Sequence, residues 1–323
     1  MVKPKIGIIG LGNMGSLHLK VAKTLLRDKV DIVAVCDVDR YKLRYAEEYG
    51  VQKLYKNYTD MLEKEELDGV IIATPPYAHR EQAIYALRKG LYVLLEKPMA
   101  TNLKDAEEIA RYANNRLMVA FSLRYHGLYN KVKHYLETKL GNVVVHWHIA
   151  LGRIPSMPWI SDKELSGGMV TENSIHVLYV FYWYAGKVRE VYASLWRLTP
   201  NVTIEDNASI ILKHENDATS ILVHSWSASH RWRKWGIQAE KGTITCEGYL
   251  GGEYMISYNK KIIDSGIYEE PIEEMYRRQL EEFIESIMNN RKPLTNEEHG
   301  IHIHRVIQAI YESAQKKKLL RIN

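Results

Sequence analysis

The chain is short of cysteine, has no apolar run of membrane-spanning length, and nowhere gathers charge of one sign into a patch. Each shortage removes a class of protein. Cys36 and Cys246 are the only cysteines among 323 residues, too few for a disulfide framework, and a reducing, cytoplasmic setting is the expectation. No stretch approaches the roughly 20 apolar residues that span a bilayer, so no membrane partner is expected. Met1 to Lys5 lead directly into a strand pattern, so no signal peptide is expected. The net charge of +5 is dispersed, and its densest block is Lys316-Lys317-Lys318. That block closes a predicted helix, where cations suit the negative pole, so nucleic acid is not an expected partner either. Repeats, low-complexity tracts and long linkers are also missing. What remains, at 46% apolar and 26% charged, is a globular chain long enough for two domains.

The stretch that organises the rest is Ile6 to Gly15. A run of strand-forming residues enters Gly10, Gly12 and Gly15, spaced G-x-G-x-x-G with Asn13 and Met14 between the last two. A helical pattern follows, with Leu17, Val21, Leu25 and Leu26 on one face. The glycines suit a tight turn, close backbone approach to a pyrophosphate, and close packing of helix on strand. The helix start supplies free N–H groups and a positive dipole end for the diphosphate. A second apolar run, Ile32 to Cys36, ends in Asp37, about 20 residues on, where a carboxylate can accept the adenosine ribose hydroxyls. That context turns a weak motif into a dinucleotide site. Asp37 would repel a 2′-phosphate, whereas Arg40 could offset part of that repulsion or stack on adenine. NAD is therefore the expected cofactor and NADP the second candidate.

Helix and strand patterns alternate up to Phe121, through strands at Val51 to Tyr55, Gly69 to Ala73, Tyr92 to Leu95 and Leu117 to Phe121. Strands with few polar interruptions, separated by helices, predict a parallel, doubly wound α/β sheet covered on both faces. The second half has strand-like segments in succession: Val188 to Leu198, Ala208 to His214, Thr219 to Trp226, and Trp235 to Cys246. Two closing helices, Ile272 to Asn289 and Glu297 to Lys317, follow. That order predicts an α+β domain on a mostly antiparallel sheet. The expected division is 1–121 for the cofactor and 122–323 for substrate binding and oligomerisation.

Four constellations are candidates for chemistry. Glu96-Lys97-Pro98 follows a parallel strand at the end where open α/β sheets bind ligands, though by position alone it reads equally as an ordinary loop lysine. Glu172 and His176 stand four apart on a predicted helix from about Thr171 to Trp183, after the pair Gly167-Gly168, and can share one face. Taken alone, they read more readily as a helical histidine satisfied by a neighbouring carboxylate. Arg124 leaves the last strand of the first sheet, where it suits either a polar substrate or a hinge ion pair. His146, His148, His299, His302 and His304 invite a metal, but no zinc-like ligand spacing accompanies them, and no metal is expected.

Taken as an ordered set, these residues resemble the Gfo/Idh/MocA family of oxidoreductases (glucose-fructose oxidoreductase, inositol dehydrogenase). The set runs from the glycine fingerprint and His18 through Ala73-Thr74-Pro75 with His79, Glu96-Lys97-Pro98, Arg124-Tyr125 and Gly167-Gly168 to His176, closing with Ala309 to Ala314. The resemblance implies a Rossmann domain, a second domain with an open antiparallel sheet, and assembly into a dimer or tetramer through that sheet. It also implies a catalytic lysine at Lys97 and a catalytic histidine at His176, with Glu172 standing where the family often has Asp. Thr74, Pro75, His79 and Glu96 join the cofactor site by the same resemblance; Lys97, Arg124, Glu172 and His176 join the substrate site. The implied activity is NAD(P)-dependent oxidation of a secondary alcohol on a sugar or cyclitol, or its reversal. Alternatives on this fold are a glycosidase working through transient oxidation and a non-catalytic dinucleotide sensor.

Overall fold

The structure, a computed structural model, describes residues 3–322. Its contacts divide the chain into two units: one runs up to Ser122 and takes in Glu273–Ile301, and the other comprises Leu123–Ile272 with the chain from His302 onward.

In the first unit, six parallel strands form one sheet: β1 (Lys5–Ile9), β2 (Asp31–Cys36), β3 (Lys53–Tyr55), β4 (Gly69–Ile72), β5 (Tyr92–Leu95) and β6 (Leu117–Val119). Their order, β3-β2-β1-β4-β5-β6, reverses direction beside β1, which puts the glycine-rich turn at the switch point where such sheets bind ligands. Helices α1 (Asn13–Leu25), α2 (Arg40–Glu48), α3 (Tyr58–Lys64), α4 (His79–Arg88) and α5 (Leu103–Arg111) connect the strands. Every residue of β4 and β5 is buried, as expected of strands covered on both faces. The chain returns to this unit late. Thr295 O accepts from Val119 N at 2.7 Å, and Phe283 and Ile287 pack over Gly69, where a Cβ would meet them at 3.2 and 3.0 Å.

The second unit starts with α6 (Gly127–Tyr135), which widens into a π-helical turn at Leu136–Leu140. Its strands are β7 (Val143–Arg153), β8 (Val188–Trp196), β9 (Asn207–His214), β10 (Thr219–Ser225), β11 (Ser227–Ala239), β12 (Gly242–Glu247), β13 (Gly252–Tyr258), β14 (Lys261–Tyr268) and β15 (Leu320–Arg321). They form a nine-stranded sheet in the order β14-β13-β12-β11-β7-β10-β9-β8-β15, antiparallel except for β10 against β7. The expected strand over Trp235 to Cys246 is therefore two strands of a hairpin. Its turn is only Glu240-Lys241, marked in the sequence by a phase shift of the alternation from odd positions (Trp235, Ile237, Ala239) to even ones (Ile244, Cys246), and Ile237 pairs with Ile244.

Period-two alternation gives this sheet two different faces. One carries Ile210, Leu212, Leu222, Trp235 and Ile237, all buried, and receives helix α8 (Ile175–Ala185), whose Phe181 ring lies 4.5 Å from that of His146. The other exposes Tyr192, Trp196 and Ile211, at 44%, 42% and 47%. Helix α7 (Lys163–Ser166) precedes the glycine pair. Helix α9 (Ile272–Met288) belongs with the first unit, while α10 (Glu297–Lys316) starts there and finishes in the second.

Candidate active site

The first unit holds a cradle of backbone groups at the C-terminal ends of its strands. Gly10 sits at φ +88°, a region that favours glycine, and donates its N–H to Cys36 O at 2.8 Å. A Cβ on Gly15 would overlap Gly10 O, whereas one on Gly12 would meet nothing within 4 Å. Thus Gly15 is required for helix–strand packing, and Gly12 keeps one side of the turn open. No side chain caps the start of α1 and its first turn has no acidic residue. Its leading amides, with those of Asn13 and Met14 among them, are thereby left to an anionic group. This is the fit that a dinucleotide requires.

Asp37, past the end of β2, is 7% exposed. Its Oδ2 accepts from Leu11 N at 2.7 Å and its Oδ1 from Asp39 N at 2.9 Å. An ionised carboxylate has about four acceptor sites, so two remain for further donors. The Leu11 contact also ties the carboxylate to the glycine turn. Asp39 caps α2 by accepting from Tyr41 N at 2.8 Å, and Arg40 is exposed in that helix's first turn. The sequence reading missed Lys42, whose Nζ lies 3.7 Å from Asp37 Oδ2; a lysine five residues past a strand end carries no distinctive signal.

Beyond β4, the Thr74 hydroxyl donates to Gln82 Oε1 at 2.6 Å, and Pro75 leads into a short 3₁₀ turn. The fully buried His79 places Nε2 at 2.8 Å from Thr74 O and Nδ1 at 2.8 Å from Pro98 O. A neutral ring has one N–H and can donate to only one of these carbonyls. Burial lowers its pKa, against the upward pull of both carbonyls. His79 is therefore a strut between the loops after β4 and β5. Past β5, Glu96 is 6% exposed and its Oε1 lies 3.0 Å from Nε2 of the buried His18 on α1. Lys97 is half-buried, donates its N–H to Glu96 Oε2 at 3.3 Å, and is joined to Pro98 by a cis peptide bond.

Glu172 and His176 lie in the second unit. Here the structure departs from the expected α-helix, because Val170–Ser174 is a π-helical turn and the α-helix starts only at Ile175. Wide turns of this kind occur often at functional sites. The turn is clamped from behind. Glu205, buried, accepts from Val170 N at 2.9 Å, and the Tyr311 hydroxyl lies 2.5 Å from Glu205 Oε1 and 3.0 Å from Gly167 O. Lys163 completes the clamp, 3.4 Å from Glu205 Oε2 and 3.9 Å above the Tyr311 ring. Gly168, at φ +99°, lies so close that a Cβ would overlap the Tyr311 hydroxyl and meet both Glu205 oxygens at 2.8 Å. Nothing in the sequence announces that Glu205 and Tyr311 support Gly167-Gly168.

Glu172 is 7% exposed and His176 is half-buried, with the Tyr249 ring 6.4 Å from the imidazole. Ser174 Oγ lies 2.7 Å from His224 Nδ1. Arg124 lies over the Trp183 ring at 4.1 Å and hydrogen-bonds Tyr179, so much of its surface engages α8. Trp235, a sugar-stacking candidate by residue type, is fully buried and stacks on Tyr129 at 5.2 Å. Among the described residues, no group of three or more His, Cys, Asp or Glu could hold a metal ion. His146 and His148 lie buried on β7, and His302 accepts from Val188 N at 3.3 Å.

Residues 4–122 match the family described as an oxidoreductase family with an NAD-binding Rossmann fold, and residues 129–245 match the GFO/IDH/MocA C-terminal domain. The chain belongs to the GFO/IDH/MocA oxidoreductase family. Its relatives in that family include a myo-inositol 2-dehydrogenase of Thermotoga maritima, 24% identical over 98% of both chains. A D-xylose 1-dehydrogenase (NADP(+)) of Haloferax volcanii is 24% identical over 96% of this chain and 97% of that one. Levoglucosan dehydrogenase, solved with NADH, superposes with a TM-score of 0.91 at 18% identity, covering 100% of both chains. The fold implied by the family resemblance is thus the fold observed, and the first unit carries the family's NAD-binding Rossmann architecture.

Proposed function

We propose that this chain is an NAD-dependent dehydrogenase that oxidises a secondary alcohol of a sugar, cyclitol or related polyol, or runs the reverse reduction. The observation that carries the reading is the cradle at the β1–α1 turn, with uncapped helix amides beside the Asp37 carboxylate. The end-to-end similarity to named inositol and xylose dehydrogenases supports the substrate class. In this reading residues 1–121 serve the cofactor and 122–323 the substrate and the partner subunit.

Gly10, Gly12, Asn13, Met14 and Gly15 hold the diphosphate, Asp37 and Arg40 the adenosine end, and Thr74, Pro75 and Glu96 the loops bordering the nicotinamide. His79 keeps those loops in place. Bound NAD supplies the hydride acceptor. His176 takes the hydroxyl proton, a task suited to imidazole because its ordinary pKa lies near neutral pH. Lys97, as ammonium, donates to the same oxygen and stabilises its alkoxide character. Glu172 orients a neighbouring hydroxyl or tunes His176, and the Arg124 donors not engaged by Tyr179 reach substrate oxygens. We further propose that the sheet face exposing Tyr192, Trp196 and Ile211 seats a second copy, since exposed apolar faces mark interfaces and closed symmetry is the common outcome.

A panel of aldoses and polyols read as NADH formation tests the function. His176→Ala should cut turnover on the accepted substrate by about 10²–10⁴-fold while NAD affinity holds. Near-wild-type turnover in that variant removes His176 from the mechanism, and a panel with no substrate at all counts against the dehydrogenase reading.

A further inference from the structure

One cation beside the candidate site has no job in the mechanism above. Arg233, on β11, is half-buried, and its guanidinium lies 4.3 Å over the Tyr249 ring. Among the described residues it makes no side-chain hydrogen bond and no ion pair. Its neighbours differ: Trp232 donates to Glu247 at 3.0 Å and Lys234 lies 3.6 Å from the same carboxylate. Withdrawing a guanidinium from water without a counter-charge is costly, so an unpaired one packed against a site is a sign of a missing anion.

The sheet register shows where that anion would lie. Arg233 is directly opposite Ala150 on β7, and Ala150 is opposite His224 on β10. One row of the inner face thus reads guanidinium, methyl, imidazole. The small central residue leaves room between the outer two, whose strands stand about 10 Å apart. The surrounding groups are those of the candidate site. His224 is held by Ser174 at 2.7 Å, and Tyr249 spans the space from Arg233 to the His176 ring, 6.4 Å away. His148, 3% exposed, borders the row with its ring 6.2 Å from that of Tyr249, and its Nε2 has no hydrogen-bond partner. Burial first, and the Arg233 charge second or third, push His148 and His224 down to about 3. Both imidazoles are therefore neutral donors or acceptors, and Arg233 carries the row's positive charge.

We propose that Arg233 is a specificity residue for an acidic group on the substrate, so that the enzyme takes a sugar or polyol bearing a carboxylate or phosphate monoester one ring's length from the reacting carbon. The proposal rests on the dehydrogenase reading and narrows its substrate class. A guanidinium fits such anions because its fork of donors engages two oxygens at once. The stack on Tyr249 fixes the plane of that fork, and His148 can donate to a further oxygen.

The test compares kcat/KM on neutral and acidic members of matched pairs: D-glucose against D-glucuronate, and D-glucose against D-glucose 6-phosphate, with NAD saturating. The wild type should favour at least one acid by ten-fold or more, and the favoured acid distinguishes carboxylate from phosphate. Arg233→Gln should bring the acid-to-neutral ratio to near one, and Arg233→Lys should retain part of it. A wild type that prefers the neutral sugar, or a preference that survives Arg233→Gln, overturns the proposal while leaving the dehydrogenase reading in place. If no sugar yields NADH, that reading fails, and binding decides the present proposal. A rise in melting temperature with D-glucuronate or the phosphate, absent in Arg233→Gln and reduced in Arg233→Lys, supports an anion site; no rise in the wild type refutes it.

Discussion

Acid should unfold this protein by a route written into the buried histidines of its second unit. His146, His148, His224 and His304 are each at most 3% exposed. Burial, the largest influence on all four, holds His146 well below the ordinary histidine range, His148 and His224 at about 3, and His304 at about 4. In the unfolded chain each returns to about 6.5. A depressed folded pKa has one sign: the stability is complete above pH 6.5 and is lost as the pH falls toward the folded value. At pH 5.8 each unfolded imidazole is roughly five-sixths protonated while its folded counterpart is neutral. Unfolding should therefore take up about 3 protons from this set, equivalent to a slope of ~4.5 kcal/mol per pH unit. Carboxylates add little at that pH, since their ordinary range lies near 4. Proton uptake on urea unfolding in weakly buffered solution, read with an indicator dye, measures the number without assuming a two-state transition. His304→Gln should lower it by about 0.8 proton. Uptake below one proton at pH 5.8, or no decrease in the variant, would refute the reasoning.

Gly168→Ala puts a methyl group at φ +99° against the Tyr311 hydroxyl and Glu205; it should cost about 1–3 kcal/mol and reduce kcat far more than it changes NAD affinity, as calorimetry and kinetics would show. Asp37→Ser should narrow the preference for NAD over NADP and also raise KM for both cofactors, because Leu11 N loses its buried acceptor at 2.7 Å; an unchanged cofactor ratio means that the carboxylate points away from the ribose. Ile211→Glu, on the exposed sheet face, should shift the mass seen by light scattering toward the monomer, and a wild type that is already monomeric at micromolar concentration would sink the proposed interface.

The first sheet was legible because its signals are local. Gly10 needs a backbone that few other residues adopt, and strands buried on both faces lose their polar alternation. Asp37 could be placed because a strand end and a helix start bracket it. The hairpin at β11–β12 was harder to read, since its two-residue turn, Glu240-Lys241, shows only as a shift of the buried positions from odd (Trp235, Ile237) to even (Ile244, Cys246). Three further features depend on residues far apart in sequence: the return of Glu273–Ile301 to the first unit, the Glu205–Tyr311 support under Gly168, and the row joining Arg233, Ala150 and His224. A glutamate, a tyrosine and a strand arginine look ordinary until the register brings them together. The family resemblance named Lys97 and His176, but it said nothing of these supports.

The wide turn at Val170–Ser174 has a consequence for how the protein can change over generations. Relative to an ordinary α-helix it contains one residue too many, held by the Glu205 clamp. Deleting a single residue there would allow the helix to run straight through, turning everything before it by about 100° relative to His176. Glu172 would then point in a different direction while His176 stayed in place. Under the proposed mechanism, a one-codon insertion or deletion is thus a discrete dial for substrate choice, reachable without disturbing the proposed proton-transfer group or the cofactor fold.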